Sequence, residues 1–361
     1  MNLLASRFPS RAIRLSPSSL SLPNRVHLPL RFLKSGISRT MSTSVAAGPF
    51  QALERPWNAR MQAQHGWLLT FLTFSFAGQY DPKWTSFGPL RVVNEDRIVG
   101  QGNGFPTHRH AEFEIFSYVL GGELTHRDSM GNGETLKRGQ IQYTRAGTGI
   151  AHSEYNHGAP ANSVTHFMQI WFRPDKKYRR VKPEYFSTQT PEDLKRNKLV
   201  TLIRPSSTVQ SDKTGLLAPG EAIPAHTSIV VRASLLDKPA TTVTHTWGTD
   251  SDVAQEAGQE RWGVVHLAMR SGYKDPTRSR GTLTPLLAGE ARIRVYRGSK
   301  DEAGQGVQQH WDLREGDSLF FKGVQVGEKL EIEKLGEEKD KEAEFLLFDM
   351  RPGKEDEDED Y

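Results

Sequence analysis

The strongest constraint on how this chain can fold is a pair of two-residue spacings. His108 and His110 flank one residue in Thr107-His108-Arg109-His110, and about forty residues later His152 and Glu154 flank Ser153. Side chains at i and i+2 share a face only on an extended strand, because the strand period is two. Both pairs therefore call for β-strands, and two strands of one barrel would bring three imidazoles and a carboxylate to one point. Neutral imidazole is a common ligand of first-row divalent metals, and a carboxylate adds one negative charge. Such a set leaves coordination positions open for a substrate and dioxygen. A lone H-x-H pair is more often two solvated side chains than a metal site. Here the surrounding spacing changes the weighting.

From Gly102, five residues precede His108, one separates it from His110, three lead on to Glu114 and six to Gly121. A second block runs from Gly139 through Ala146-Gly147 to His152, then across three residues to Asn156. This is similar to the two-part motif of the cupin barrel, with the first part complete. The second part departs from it: Arg145 stands where proline is usual, two extra residues separate Gly147 from His152, and the pair is H-x-E. Those departures resemble one cupin family, the pirins, and within it the bacterial pirin-like quercetin dioxygenases. The resemblance is carried by His65-Gly66-Trp67, Thr73-Phe74-Ser75-Phe76-Ala77, Tyr80-Asp81-Pro82 and Leu90-Arg91-Val92. It continues through the two ligand pairs, His126-Arg127-Asp128-Ser129-Met130-Gly131-Asn132, Ala146-Gly147-Thr148-Gly149-Ile150 and Gln169-Ile170-Trp171. It is dense from Trp57 to Pro174, thins afterwards, and returns at Leu346-Leu347-Phe348-Asp349.

The resemblance implies an all-β bicupin, two jelly-roll barrels in one chain. It implies one divalent metal held by His108, His110, His152 and Glu154, iron(II) first, with nickel, copper or manganese able to use the same ligands. Glu114 is the rival carboxylate, since many cupins use that position. By strand parity it is placed here as a partner that orients an imidazole N–H, and Glu112, on the same face, as solvated or salt-bridged. Iron(II) with three neutral histidines and one glutamate carries a formal charge of about +1, enough to favour a bound hydroxyl as its anion. Glu154 is the expected proton acceptor. The implied reaction is 2,3-cleavage of a flavonol such as quercetin by O2 with release of carbon monoxide. Of Phe105, Phe113 and Phe116, parity selects Phe116 to line the substrate pocket. A second reading, from eukaryotic pirins, is a nuclear co-regulator that binds a transcription factor, with the metal as a structural or redox switch. A metal-free structural cupin is disfavoured, because all four candidate ligands are present.

Composition removes several alternatives. With no cysteine among 361 residues, disulfides and thiolate ligation are excluded. No stretch approaches the roughly 20 apolar residues that span a membrane. The net charge of +4 is misleading, because seven basic residues and no acid lie in residues 1–40, leaving 40 basic against 43 acidic beyond them. Direct nucleic-acid binding is therefore not implied. The Arg- and Ser-rich, acid-free leader matches a mitochondrial transit peptide. Translation from Met41 would instead give a cytoplasmic and nuclear form.

The expected layout is a basic, unstructured leader over residues 1–55, a metal-binding cupin domain over 56–190, a metal-free cupin over 191–350 and an acidic tail over 351–361. Strands are expected at Leu90–Val99, across residues 114–127 and at 165–172. Gly131-Asn132-Gly133 is expected as a hairpin turn and Arg138-Gly139-Gln140 as a tight one. Residues 291–297, 307–313 and 318–322, with Arg314-Glu315-Gly316-Asp317 turning between the last two, repeat that order and point to a second barrel. His226, His245, His266 and His310 lack partners at i±2 and are assigned structural or solvated roles. Residues 205–224, 248–260 and 327–344 read as polar insertions.

Overall fold

The computed structural model describes residues 49–206, 215–249, 260–270, 290–298, 309–337 and 340–352. Short alternating runs punctuated by glycine turns become strands almost throughout, and the fold is an all-β bicupin. Among the described residues the strands form four sheets. The first half contributes an eight-stranded sheet, from Gly215–Leu216 at one edge to Met61–Gln64 at the other. It also contributes a four-stranded sheet in the order Gly104–His110, Ile150–Asn156, Glu123–Asp128, Gly133–Lys137. The second half repeats the plan with a seven-stranded sheet and a four-stranded sheet of Thr242–Thr246, Lys329–Leu335, Arg292–Arg297 and Gln309–Arg314.

The two large sheets lie back to back. Phe116, Tyr143, Ile170 and Phe172 of the eight-stranded sheet pack with Val231, Ala233, Leu346 and Phe348 of the seven-stranded one in the largest apolar cluster. The larger aliphatic and phenyl side chains among them contribute about 1.5–3 kcal/mol each on burial. Polar ties pin the same interface. Lys195 donates to both Tyr118 and Glu344, and Glu344 also accepts from Arg138 at 2.9 Å and pairs with Arg270 at 3.2 Å. Burial opposes ionisation of Glu344, yet the three cations hold its carboxyl down at about 2.

Several expectations change in detail. The run over residues 114–127 is two strands, Glu114–Gly121 and Glu123–Asp128, in different sheets. The leader expected over residues 1–55 is not unstructured to its end, because Gln51–Arg55 is a strand paired antiparallel with Ser318–Gln325. It has a partner edge to complete, so its backbone groups find hydrogen bonds there. Residues 1–48 with the transit-peptide reading, residues 207–214 and 250–259 of the first two expected insertions and the tail beyond 352 lie outside the described residues. The third expected insertion, 327–344, is instead mostly sheet: Lys329–Leu335 is a strand, and its alternation turns Leu330 and Ile332 into the core among the charged residues that made it read as polar. No helix among the described residues is long and apolar enough to cross a membrane.

Candidate metal centre

The two motif strands are neighbours. Gly104–His110 pairs antiparallel with Ile150–Asn156, and His108 lies opposite His152. Between His152 and Glu154 the register slips, so that two steps on one strand match three on the other. Bulges of this kind re-aim side chains beside functional sites. Along Ile150–Asn156 burial alternates, and His152, Glu154 and Asn156 all point inward.

His152 Nε2 lies 2.9 Å from His110 Nε2 and 3.0 Å from His108 Nε2. Ring nitrogens this close need a shared proton or a shared cation between them. Burial and the neighbouring imidazoles hold His110 and His152 down to about 3, so both are neutral near pH 7 and present lone pairs. On the open side, His108 Nδ1 is 2.8 Å from the Pro106 carbonyl, which fixes Nδ1–H as donor and turns the Nε2 lone pair inward. Adjacent ligands bonded at about 2.1 Å lie about 3 Å apart. The three imidazoles therefore fit a divalent transition metal.

Glu154 sits one step deeper. Its ligand atom lies within 4.8 Å of those of His152 and His126, all three residues being buried. The carboxylate accepts from Ser117 at 2.9 Å, Gln142 at 3.0 Å and Gln169 at 2.9 Å. Those three donors form one row across the inner face of the large sheet, Gln169 opposite Ser117 and Ser117 opposite Gln142. The open side of the cluster is aromatic. Trp171 meets His110 edge-on at 4.7 Å, Phe76 and Phe113 flank Trp171 at 5.2 and 5.7 Å, and Phe105 lies 6.4 Å from His108.

Two sequence expectations fail here, for one reason. Parity from His110 to Glu114 assumed a continuous strand, but the chain turns at Glu112, whose φ is 62°. Glu114 therefore faces away from the histidines. It pairs with Arg145 at 2.9 Å and accepts the His226 backbone N–H at 3.0 Å. Phe116 follows the same parity into the interface between the halves rather than lining a pocket. The inward face carries Ser117 instead. Glu112 itself pairs with Arg180 at 2.8 Å.

The sequence reading assigned no role to His126, Ser117, Gln142 or Trp171. His126 lies opposite Glu154 on the adjoining strand, stacks on Tyr185 at 4.9 Å and contacts Asp128 at 3.4 Å. Its signal was present: His126-Arg127-Asp128 has the same period-two form. In the second half, His226, His245 and His266 are buried in hydrogen bonds or ion pairs, and His310 is exposed.

The Pirin family profile matches residues 56–172. The quercetin 2,3-dioxygenase of Escherichia coli K12 is 48% identical over 122 residues, covering 34% of this chain and 52% of that protein. A pirin-like protein of Caulobacter vibrioides is 34% identical over 220 residues, covering 60% of this chain and 88% of its own. The crystal structure of YhhW from Escherichia coli matches with a TM-score of 0.57 at 27% identity, over 84% of this chain and 98% of that one. Bacterial pirin YhhW in complex with nickel(II) gives 0.54 at the same identity, over 84% and 100%. The chain spans about half the length of the first curated relatives it matches.

Proposed function

The chain belongs to the pirin family, and from that premise we propose that it is a mononuclear metal dioxygenase opening the central ring of a flavonol. The reading is carried by one observation, three imidazoles converging beside a buried, triply hydrogen-bonded carboxylate. His108, His110, His152 and Glu154 are the proposed ligands. The nickel(II) complex of the related YhhW supports a divalent ion here, and iron(II), nickel, copper and manganese all suit the donors. When bound, the metal supplies the positive charge that favours an ionised hydroxyl and the redox partner for dioxygen.

The residues of the chain do the rest. Trp171, Phe76 and Phe113, inclined to one another, offer an apolar aromatic lining for the flavonol and keep water from the reacting face. Glu154 takes the proton of the 3-hydroxyl at its carboxylate oxygen, leaving an electron-rich ring that reacts with dioxygen and releases carbon monoxide. Ser117, Gln142 and Gln169 hold Glu154 in place for that transfer, so little reorganisation is needed when charge moves.

The test is made on protein started at Met41, loaded anaerobically with iron(II) and given quercetin and air. Carbon monoxide released in step with flavonol loss, and absent from His110→Ala, is the expected result. No turnover despite one tightly bound iron would sink the enzyme reading in favour of a metal-dependent protein-interaction module acting on a transcription factor.

A further inference from the structure

Beside the candidate centre runs the most basic segment of the described chain. Residues 173–182 hold Arg173, Lys176, Lys177, Arg179, Arg180 and Lys182 against one acid, Asp175. This density is not inherited from the chain as a whole, since residues 41–361 carry more acid than base. The segment follows directly from the strand Val164–Phe172 that bears Trp171.

Its position is fixed rather than free. Val181 accepts the Thr148 N–H at 3.0 Å, on the loop that leads into the strand of His152 and Glu154. A Cβ at Gly147 would lie 2.1 Å from the Val181 carbonyl, and φ there is +50°, so only glycine lets the segment approach this closely. Arg180 reaches Glu112 on the loop after His110, and the Arg173 guanidinium lies 5.9 Å over the Phe113 ring. Tyr178 anchors the turn from behind, buried and stacked on His226 at 4.2 Å. Lys176, Lys177 and Lys182 are left exposed to solvent, with the Lys177 ammonium 4.6 Å over the Tyr178 ring. The segment thus forms a cationic rim beside the loop that follows His110 and carries Phe113.

We infer that this rim selects a planar aromatic bearing a negative charge at the end remote from the metal: a flavonol conjugate such as a sulfate ester rather than the neutral parent. The inference rests on the dioxygenase reading for its aromatic core, and the charge preference is its own content. The ring would lie against Trp171 with its hydroxyl toward Glu154 and its far substituent toward Lys176, Lys177 and Lys182. Several exposed cations acting together on one anion are worth about tenfold in affinity at low salt, and little once the Debye length shrinks.

The test compares quercetin 3′-sulfate with quercetin on the metal-loaded full chain, at a slightly acidic pH that keeps the parent neutral. Affinity is read from quenching of tryptophan fluorescence, and turnover separately from carbon monoxide. The sulfate ester is expected to bind about tenfold tighter at roughly 20 mM salt and the two to converge near roughly 0.5 M. The double variant Lys176→Glu/Lys177→Glu should abolish that preference, whereas Lys329→Glu/Lys341→Glu, an equal charge change at exposed positions on the other half, should leave it. Equal affinities at low salt, or a preference that survives the double variant, overturn the inference. A preference retained while neither flavonol is turned over upholds it and removes the dioxygenase reading alone.

Discussion

The two halves share a plan and differ in what they put inside it. Between its sheets the second half packs Leu236, Val265, Leu267, Ile293, Val295, Ile332, Phe345 and Leu347, with Trp247 only 1% exposed. Trp247 lies over Gly263 so closely that a Cβ there would fall 2.0 Å from the indole. The first half packs a smaller apolar cluster, Leu68, Ile98, Val119, Leu124, Leu136 and Phe167, and leaves the rest of its interior polar. Asn94, Gln169, Ser117 and Gln142 line up on one face, and nearby Asp96 is pushed up by burial to about 7. A buried polar side chain is tolerated only when it is partnered, so such an interior costs stability unless something is gained by it. The comparison teaches that one sheet scaffold can serve as packing in one copy and as the frame of a buried polar site in the other.

The largest effect that would sharpen this contrast is on metal content. His108→Ala or His152→Ala should strip most of the bound metal while far-UV circular dichroism stays that of a β protein. Full occupancy by elemental analysis in either variant would remove that residue from the ligand set. Next, Glu154→Gln should lower kcat by about 10²–10⁴ with a smaller change in KM, and an unchanged rate would deny it the proton. In the other half, Trp247→Ala should cost about 3–5 kcal/mol in urea unfolding and leave metal content untouched. Loss of metal there would mean the halves are not energetically separable.

The smallest effect concerns the junction. The folded pKa of Glu344, about 2, lies below its ordinary value of 4.5. The stability it contributes is therefore present above about 4.5 and lost as pH falls toward 2. Glu344→Gln should flatten that part of the acid unfolding curve, and an unaltered curve would show that other carboxyls govern it.

The convergence of the three histidines was legible in the sequence because its signal is local: two period-two pairs give parity, and parity gives a shared face. The spacing Gly139, Gly147, His152 and the turns at Gly131-Asn132-Gly133 and Arg138-Gly139 were equally local, and the strands flank them as read. Glu114 and Phe116 were misplaced because one positive φ at Glu112 resets parity, and no residue type there announces it. Ser117, Gln142 and Gln169 escaped notice for a different reason. They meet only through cross-strand register, 25 and 52 positions from one another along the chain, and neutral amides carry no motif. The strand Gln51–Arg55 was read as leader because its partner lies in the opposite half.

That strand makes the chain hard to build piecemeal. Gln51–Arg55 closes on Ser318–Gln325, and the Trp57 N–H donates to Asp317, 260 positions later, at 2.7 Å. During synthesis the earliest described strand must wait, unpaired, until almost the whole polypeptide has left the ribosome. Pairings between such distant positions are slow to form and expose edges while they wait. A cut between the halves would leave one fragment with an orphan strand and the other with an open sheet edge, so neither half should be a self-sufficient folding unit.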